Sequence, residues 1–389
     1  MCGITAYIGD VSLELFQECL NKIKHRGPDD TQVVNIINNK YIHLGFQRLS
    51  INDLSTNGNQ PMIMDNVHVI CNGEIYNYQK LKDDNNFEFK SESDCEIILH
   101  MYLKYGIEDT IKKLHGVFAF VLYDFNNNVC HFGRDIIGIR PLFIGYNDNS
   151  IMLSSEVKSF PSNYKTIEQF KQSSYSSINL DTYNYEPLIY NEYFNWNITS
   201  NTQLNEQLIY SYIKEYLIDA VQLRLMSDRP VGCFLSGGLD SSIIASIMCD
   251  KLESKLTTFS IGMKDSNAPD LHYGQIVADY LKTNHHTVYF TFEEGFEALD
   301  DLIYTLESYD ITTVRASLPQ YMLSKYVKKN TDIKVLLSGE GPDEHFGGYQ
   351  YMKMAPTDEE FQKEAHSLTR DLPYFDVLRT DRTTANSGL

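Results

Sequence analysis

The sequence predicts two consecutive domains, a sheet-rich α+β domain followed by an α/β domain built on a parallel sheet. Three observations support this prediction. The chain has 389 residues, which is long for one compact domain. The first half carries short β-like runs separated by turn residues. The second half alternates strand-like and helix-like segments, a rhythm that is typical of parallel sheets.

In the first half, strands are predicted over 3–8, 41–44, 67–71, 116–123 and 142–146. Turns rich in glycine, proline and asparagine separate them. A helix is predicted over 93–105, because Ile97, Ile98 and Met101 fall on one helical face, with Tyr105 one turn further on. A few helices on a sheet-rich domain indicate the α+β class.

The polar, tyrosine-rich stretch 160–207 has no apolar periodicity, so we expect it to end the first domain and connect it to the second. Beyond it the sequence predicts a helix over 206–226 and a strand over 231–235. A helix, a strand over 257–261, a helix, a strand over 286–290, two helices and a strand over 334–337 follow. Ligands bind at the carboxyl ends of such parallel strands.

Composition excludes some classes of partner. The formal charge of −19 disfavours nucleic acids and anionic membranes, which are themselves negative. The sequence has no apolar run of about 18 residues and no secretory signal pattern. Its seven cysteines are scattered without a CxxC pair, which favours a reducing compartment and hence a cytoplasmic location. The six cysteines other than Cys2 are expected to fill core or surface positions.

The second residue is a cysteine, in Met1-Cys2-Gly3. A small residue after the initiator favours removal of Met1, which would give Cys2 a free α-amino group. Because such a group has a pKa of ~7.7–8.0, it can act as a general base for its own thiol. A cysteine at this position is nevertheless usually inert when nothing else supports a catalytic role.

Four further blocks supply that support: 25–29 (HRGPD), 47–51 (QRLSI), 71–77 (CNGEIYN) and 91–94 (SESD). In this order and at these spacings, they resemble the class II glutamine amidotransferase domain. That domain is an N-terminal-nucleophile hydrolase with an αββα sandwich. The resemblance covers roughly residues 2–160 and implies a glutaminase domain over 2–190.

The resemblance assigns residues to glutamine chemistry. Cys2 would be the nucleophile, and the Asn72 side chain and the Gly73 backbone would form the oxyanion hole. The implied glutamine-binding residues are Arg48, Leu49, Ser50, Ile51, Asn72, Gly73, Glu74 and Asp94. Taken singly, such residues are usually surface groups or hairpin turns, but as a set behind Cys2 they favour catalysis. His25 is expected to be structural, because the α-amino group already supplies a base.

A glycine-rich turn follows the predicted strand 231–235, in Ser236-Gly237-Gly238-Leu239-Asp240-Ser241-Ser242. Glycines let backbone N–H groups approach an anion, and the following helix presents its positive end. The turn has no Gly-Lys-Ser/Thr and is therefore not a Walker loop. It resembles the pyrophosphate loop of N-type ATP pyrophosphatases, which cleave ATP between the α and β phosphates.

This second resemblance implies an ATP site formed by Leu235, Ser236, Gly237, Gly238, Asp240, Ser241, Ile261, Ser338 and Gly339. Asp240 and Asp343 would be Mg²⁺ ligands, since magnesium binds one or two carboxylates together with phosphates. Glu340 would be catalytic, near the reacting aspartate and ammonia. Thr312 and Arg315 would contact aspartate and phosphate groups. Solvated acidic loops are common, but solvation alone does not explain carboxylates at strand ends.

The two halves in this order resemble the asparagine synthetases of the glutamine-hydrolysing type, which are carbon–nitrogen ligases. The implied substrates are glutamine, aspartate and ATP, and the implied intermediate is β-aspartyl-AMP. Members of this family continue beyond the equivalent of Leu389, so we expect a C-terminally incomplete synthetase domain over 205–389. Two alternatives stay open: a relative such as a β-lactam synthetase, which the intact Cys2 set disfavours, and a partial protein with glutaminase or ligand-binding activity only. The sequence does not decide the oligomeric state, for which a homodimer is one candidate.

Overall fold

The structure is a computed structural model that describes residues 1–38, 40–194 and 205–389. It divides into two compact units. One comprises Met1–Phe194 and Thr384–Gly388, and the other comprises the described residues of Asn195–Thr383 together with Leu389. Part of the predicted connector, residues 195–204, lies outside the described residues. The limits 2–190 and 205–389 given by the sequence remain a proposal.

The first unit is built from strands and three α-helices in its described residues. Its strands are β1 (Gly3–Gly9), β2 (Asp30–Asn38), β3 (Lys40–Arg48), β4 (Met62–Met64), β5 (Val67–Ile75), β6 (Gly116–Asp124), β7 (Val129–Arg134), β8 (Phe143–Asn147), β9 (Ser150–Ser154), β10 (Thr166–Gln169), β11 (Ser174–Asn179) and β12 (Asn191–Glu192). Its helices are α1 (Leu13–Asn21), α2 (Tyr78–Asn85) and α3 (Ile97–Lys113). The strands form two antiparallel sheets, in the orders β10-β8-β9-β1-β3-β2 and β12-β11-β7-β6-β5-β4.

The two sheets pack face to face, and a helix covers the outer face of each. Alternate residues of a strand point to opposite faces. The inward residues of β1 and β6 share one core, which includes Ile4, Ala6, Ile8, Ala119, Val121 and Tyr123. The outward residues of β6 pack with α3, and the outward Tyr7 of β1 packs with Phe16 of α1. These four layers confirm the predicted αββα sandwich.

The second unit contains a four-stranded parallel sheet surrounded by helices. Its strands are β13 (Val231–Phe234), β14 (Thr257–Met263), β15 (Asn284–Phe290) and β16 (Val335–Leu337). The helices of the second half are α4 (Glu206–Leu223), α5 (Leu239–Lys251), α6 (Pro269–Leu281), α7 (Phe292–Glu297), α8 (Leu299–Leu306), α9 (Ile311–Asn330), α10 (Pro342–Phe346), α11 (Asp358–Asp371) and α12 (Asp376–Ala385). Every strand pair is parallel, which confirms the predicted α/β class.

The strand order of this sheet is β15-β14-β13-β16. The chain therefore runs outward from β13 through β14 to β15 and then returns to the other side of β13. The order reverses between β13 and β16, and such a switch point opens a crevice at the carboxyl ends of the two strands. The glycine-rich turn follows β13, and the segment beginning at Ser338 follows β16, so both lie at this crevice.

Two local predictions were wrong. The helix expected over 93–105 begins only at Ile97, because Asp94–Glu96 form a 3-10 turn. There the Glu96 carboxylate accepts the backbone amides of Lys90 and Ser91. Three helices, not two, lie between β15 and β16. The first of them, α7, begins with a capping box just after the end of β15. It is therefore a separate helix.

Within the described part of the chain, no helix combines the length and the apolar character that crossing a membrane requires.

Candidate active sites

Cys2 lies directly before β1, beside the backbone of Leu49. Its Sγ accepts a hydrogen bond from the Leu49 amide at 3.4 Å and donates to the Leu49 carbonyl at 3.6 Å. Burial raises the pKa of the Cys2 thiol, although the amino group of Met1 and the Leu49 amide oppose that rise. The thiol is therefore protonated at neutral pH and needs a base before it can attack a carbon atom.

Nearly all of the residues that the sequence assigns to glutamine chemistry line one pocket: Cys2, Arg48, Leu49, Ile51, Asn72, Gly73, Glu74 and Asp94. Ser50 is not among the lining residues, and its backbone amide donates to the Asp29 carboxylate at 2.8 Å. The assignment of Ser50 to glutamine binding stays a prediction. The packing of the two sheets thus brings together residues that are up to 92 positions apart in the chain, from Cys2 to Asp94.

Asn72, on β5, supplies an unused donor to this pocket. The residue is 1% exposed, and its Nδ2 has no hydrogen-bond partner among the described residues. A buried donor without a partner is costly, so this amide suits an oxygen atom that arrives with the substrate. At the neighbouring Gly73 a Cβ would lie 2.4 Å from the Val117 carbonyl oxygen, which leaves no room for a side chain.

Asp94 forms an anionic wall of the pocket. It is 3% exposed, and its carboxylate accepts the Ile75 amide at 2.6 Å and the Asn52 side chain at 3.3 Å. Burial, together with a smaller effect of the negative charge of Glu74, raises the pKa of Asp94 to about 7. Two acidic side chains that line one pocket suit a ligand that carries an ammonium group.

Arg48 is held rigidly at 5% exposure. Its Nη1 donates to the Ser55 carbonyl at 2.6 Å and to Asn59 Oδ1, and its Nη2 donates to the Asp53 carbonyl. These bonds use three of the five N–H donors of a guanidinium. The other two remain for a carboxylate, the group that this planar fork binds best.

Part of this site has no local signature in the sequence. Arg26 belongs to the quoted block 25–29 but received no role, yet its Nε donates to the Cys2 carbonyl at 2.9 Å. His25, which had no evident partner in the sequence, lies 3.0 Å from Glu156 through its Nε2, in keeping with its expected structural role. Asn52 and Arg140 also line the pocket. Only the long-range pairing of strands brings these groups near Cys2, so no local pattern signalled them.

In the second unit, the turn after β13 forms a compact loop at the switch point. Gly237 has a φ of +80°, and a Cβ there would lie 2.3 Å from the Tyr273 carbonyl carbon, so only glycine fits. Ser236 Oγ lies 3.0 Å from Ser241 Oγ and accepts the Gly238 amide at 3.3 Å. Just after β16, a Cβ on Gly339 would lie 2.9 Å from the Ser241 nitrogen. The two predicted parts of the ATP site therefore touch.

Two carboxylates meet beside this loop. The pKa of Asp240 is raised by burial and by the negative charge of Asp343, so the two side chains repel each other. The described residues contain no group of three or more histidine, cysteine, aspartate or glutamate side chains that could hold a metal alone. A pair of carboxylates fits Mg²⁺ if phosphate oxygens and waters complete its coordination.

The remaining predicted residues of the second unit are more dispersed. Glu340 accepts a hydrogen bond from Arg379, which also pairs with Asp376 at 2.8 Å. Burial raises the pKa of Glu340. Thr312 and Arg315 lie exposed on the first turns of α9. In the described chain no hydrogen bond or ion pair joins either of them to the loop after β13, so their assignment stays a prediction.

Comparisons with known proteins match both units. The sequence model of a glutamine amidotransferase domain matches residues 1–207, and that of asparagine synthase matches residues 212–388. A probable glutamine-hydrolysing asparagine synthetase of Acanthamoeba polyphaga mimivirus is 41% identical over the whole chain and 75% of its own length. The human asparagine synthetase is 40% identical over the whole chain and 74% of its own length. The chain belongs to the glutamine-hydrolysing asparagine synthetase family.

This member of the family spans about three quarters of the length of those relatives. Among solved structures, a glutamine phosphoribosylpyrophosphate amidotransferase from B. subtilis covers 75% of this chain and 65% of its own, with 16% identity and a TM-score of 0.41. That likeness is too distant to inform the chemistry. Membership of the asparagine synthetase family rests on the two sequence models and on the relatives at about 40% identity.

Proposed function

We propose that this chain makes asparagine from aspartate, using ATP and the amide nitrogen of glutamine. The observation that carries the proposal is one pocket that holds the Cys2 thiol, an unpartnered buried amide and an anionic wall. The same chain contains a phosphate loop at the switch point of a parallel sheet. Membership of the asparagine synthetase family supports combining the two sites in one reaction.

The first half-reaction would release ammonia from glutamine. Arg48 would bind the α-carboxylate of glutamine, and Asp94 and Glu74 would bind its α-ammonium. The α-amino group of Cys2 would take the thiol proton, and the thiolate would attack the γ-amide carbon. Asn72 Nδ2 and the Gly73 N–H would stabilise the oxyanion, a contribution of about 3–4 kcal/mol per donor in comparable hydrolases. Ammonia would leave, and water would then release glutamate from the thioester.

The second half-reaction would activate aspartate. Its β-carboxylate would attack the α-phosphorus of ATP, which gives β-aspartyl-AMP and diphosphate. The N–H groups and hydroxyls of Ser236–Ser241 would bind the phosphates. Asp240 and Asp343 would hold Mg²⁺, which neutralises phosphate charge when bound. Ammonia would displace AMP while Glu340 takes up a proton, and Arg315 would stabilise the phosphate charge.

The test is a product analysis with glutamine labelled by ¹⁵N at its amide. Aspartate, ATP, Mg²⁺ and labelled glutamine should give ¹⁵N-asparagine together with glutamate, AMP and diphosphate. The matched control, Asp343→Asn, should release glutamate but form little AMP or asparagine. If the wild-type chain releases glutamate without forming AMP or asparagine, the proposal fails and only a glutaminase remains.

Location and assembly belong to the same proposal. All seven cysteines are free thiols, which supports a reducing compartment such as the cytoplasm. Cell fractionation with an antibody to the chain would check that location. A homodimer stays a proposal, and light scattering on the purified chain would decide it.

A further inference from the structure

The nucleophile has an anchor outside the pocket. A cysteine that becomes the first residue of the chain is restrained by a peptide bond on its carboxyl side only. A hydrogen bond to the Cys2 carbonyl oxygen can supply a second restraint. Arg26 Nε donates such a bond at 2.9 Å. Because the thiol and the α-amino group both branch from the Cys2 Cα, this bond limits where both can lie.

The anchoring arginine is in turn held by a buried carboxylate. The Arg26 side chain is fully buried, and its Nη1 lies 2.7 Å from Glu156 Oε1. The Glu156 side chain is 1% exposed and also receives His25 Nε2 at 3.0 Å and Lys158 Nζ at 2.9 Å. A buried arginine without a counter-charge would be strongly unfavourable, so Glu156 is what allows Arg26 to stay beside Cys2.

The residue before Glu156 fixes the chain on the other side of Gly3. The Ser155 amide donates to the Ile4 carbonyl at 3.0 Å, and the Ile4 amide donates to Ser155 Oγ at 3.0 Å. Residues 155 and 156 therefore hold Ile4 directly and Cys2 through Arg26. Neither Arg26 nor Glu156 lines the glutamine pocket.

We propose that Glu156 is a positioning residue for the Cys2 nucleophile, which it places through Arg26 without contacting glutamine. This inference rests on the proposed glutamine hydrolysis by Cys2. It separates two groups of residues in the first unit. Arg48 and Asp94 hold the substrate, whereas Glu156 and Arg26 hold the residue that attacks it. Loss of the second group should therefore lower kcat and leave KM for glutamine nearly unchanged.

The experiment compares Glu156→Gln with wild type in the full chain. The substitution keeps the shape of the side chain and removes its charge. We expect kcat for glutamine hydrolysis to fall about 10- to 100-fold, since a small misplacement of a reacting group has an effect of this size. KM for glutamine should change far less, and alkylation of Cys2 by iodoacetamide should slow in parallel with kcat. Glu156→Asp, which keeps the charge, should restore part of kcat.

Two further variants separate positioning from general damage. Glu192→Gln removes a carboxylate from an exposed pair with Lys171, where the side chains are 57% and 50% exposed, and should leave kcat, KM and alkylation unchanged. The double variant Arg26→Gln/Glu156→Gln removes both charges of the Arg26–Glu156 pair, so Arg26 is not left as a buried charge without its carboxylate. Its kcat should equal that of Arg26→Gln alone, because Glu156 acts through Arg26.

Three results would overturn the inference: an unchanged kcat in Glu156→Gln, a raised KM with normal kcat, or additive losses in the double variant. If Glu156→Gln loses its cooperative thermal transition, the double variant and Arg26→Gln decide the question alone. A wild-type chain that hydrolyses no glutamine would refute the proposed function itself, and that result is visible before any variant is made.

Discussion

The two candidate sites differ in how much of their geometry exists without substrate. In the first unit, Arg48, Asn72 and Asp94 are buried, and hydrogen bonds to the surrounding backbone fix Arg48 and Asp94. In the second unit, the loop after β13 is compact, but Thr312 and Arg315 are exposed, and no hydrogen bond or ion pair joins them to this loop among the described residues. The activity of the first unit should therefore be sensitive to the loss of single buried polar groups. The activity of the second unit should depend on the shape of its loop and on bound nucleotide.

The largest effect is expected from Gly237→Ala in the second unit. Gly237 has a φ of +80°, and an added Cβ would lie 2.3 Å from the Tyr273 carbonyl carbon. The loop would have to move, so AMP formation should be lost with either nitrogen source while glutamine hydrolysis continues. Assays of AMP and glutamate on the same sample check both statements.

Gly238→Ala is the matched control for that variant. A Cβ on Gly238 would meet only Ser236 Oγ, at 3.4 Å, which is an ordinary contact. AMP formation should fall much less than in Gly237→Ala. Equal losses in the two variants would mean that the shape of the loop is not what matters.

The next largest effect is expected from Asn72→Ala in the first unit. Removing an oxyanion-hole donor lowers kcat by about 10²–10³ in comparable enzymes. KM for glutamine should hardly change, because the unpartnered Nδ2 acts mainly on the charge that develops during attack. Steady-state kinetics of glutamine hydrolysis give both values.

Asn52→Ala tests the ammonium-binding end of the same pocket. The Asn52 amide donates to the Asp94 carboxylate at 3.3 Å, and this carboxylate is the group expected to bind the substrate ammonium. Loss of the Asn52 side chain should therefore raise KM for glutamine more than it lowers kcat. If Asn52→Ala and Asn72→Ala have the same kinetic pattern, the division between an oxyanion end and an ammonium end of the pocket is wrong.

A smaller effect is expected from pH. Burial raises the pKa of Asp94 to about 7, so below that pH its carboxyl is mostly protonated in the free enzyme. Only the ionised form attracts an ammonium group, hence kcat/KM for glutamine should fall as pH drops below about 7. The limiting slope for one such group is about tenfold per pH unit. A pH profile of kcat/KM measures it.

Glu74→Gln should shift this acidic limb to lower pH, since the negative charge of Glu74 helps to raise the pKa of Asp94. Asp94→Asn should remove the contribution of Asp94 to this limb, although activity will be low. The titration of the Cys2 α-amino group, at ~7.7–8.0 in model compounds, should persist in both variants. A limb that stays in place in Glu74→Gln would contradict the assignment to Asp94.

Much of both sites could be predicted from the sequence where local patterns carry the information. The apolar run 116–123 indicated a strand that the structure extends to β6 (Gly116–Asp124). The turn after β13 was recognisable because a φ of +80° at Gly237 needs glycine. The pocket residues near Cys2 were found through the order of their blocks, not through any single one.

The rest depends on contacts between distant residues. Arg26 reaches Cys2 and Glu156 because β1 and β9 pair, with Ser154 opposite Thr5. No pattern within 25–29 or 154–158 indicates that pairing. The helix α3 began later than predicted because Glu96 turns back to the amides of Lys90 and Ser91. The helical pattern of apolar residues does not reveal such a turn.

The most direct test of the account is the Cys2→Ala variant, assayed for asparagine with each nitrogen source in turn. The account predicts that synthesis from glutamine is lost, while synthesis from free ammonia continues at the wild-type rate, because the two chemistries belong to separate sites. Synthesis from glutamine that survives in Cys2→Ala would contradict the role of the terminal thiol. Loss of synthesis from both sources, in a variant that still unfolds cooperatively, would contradict the separation of the two sites.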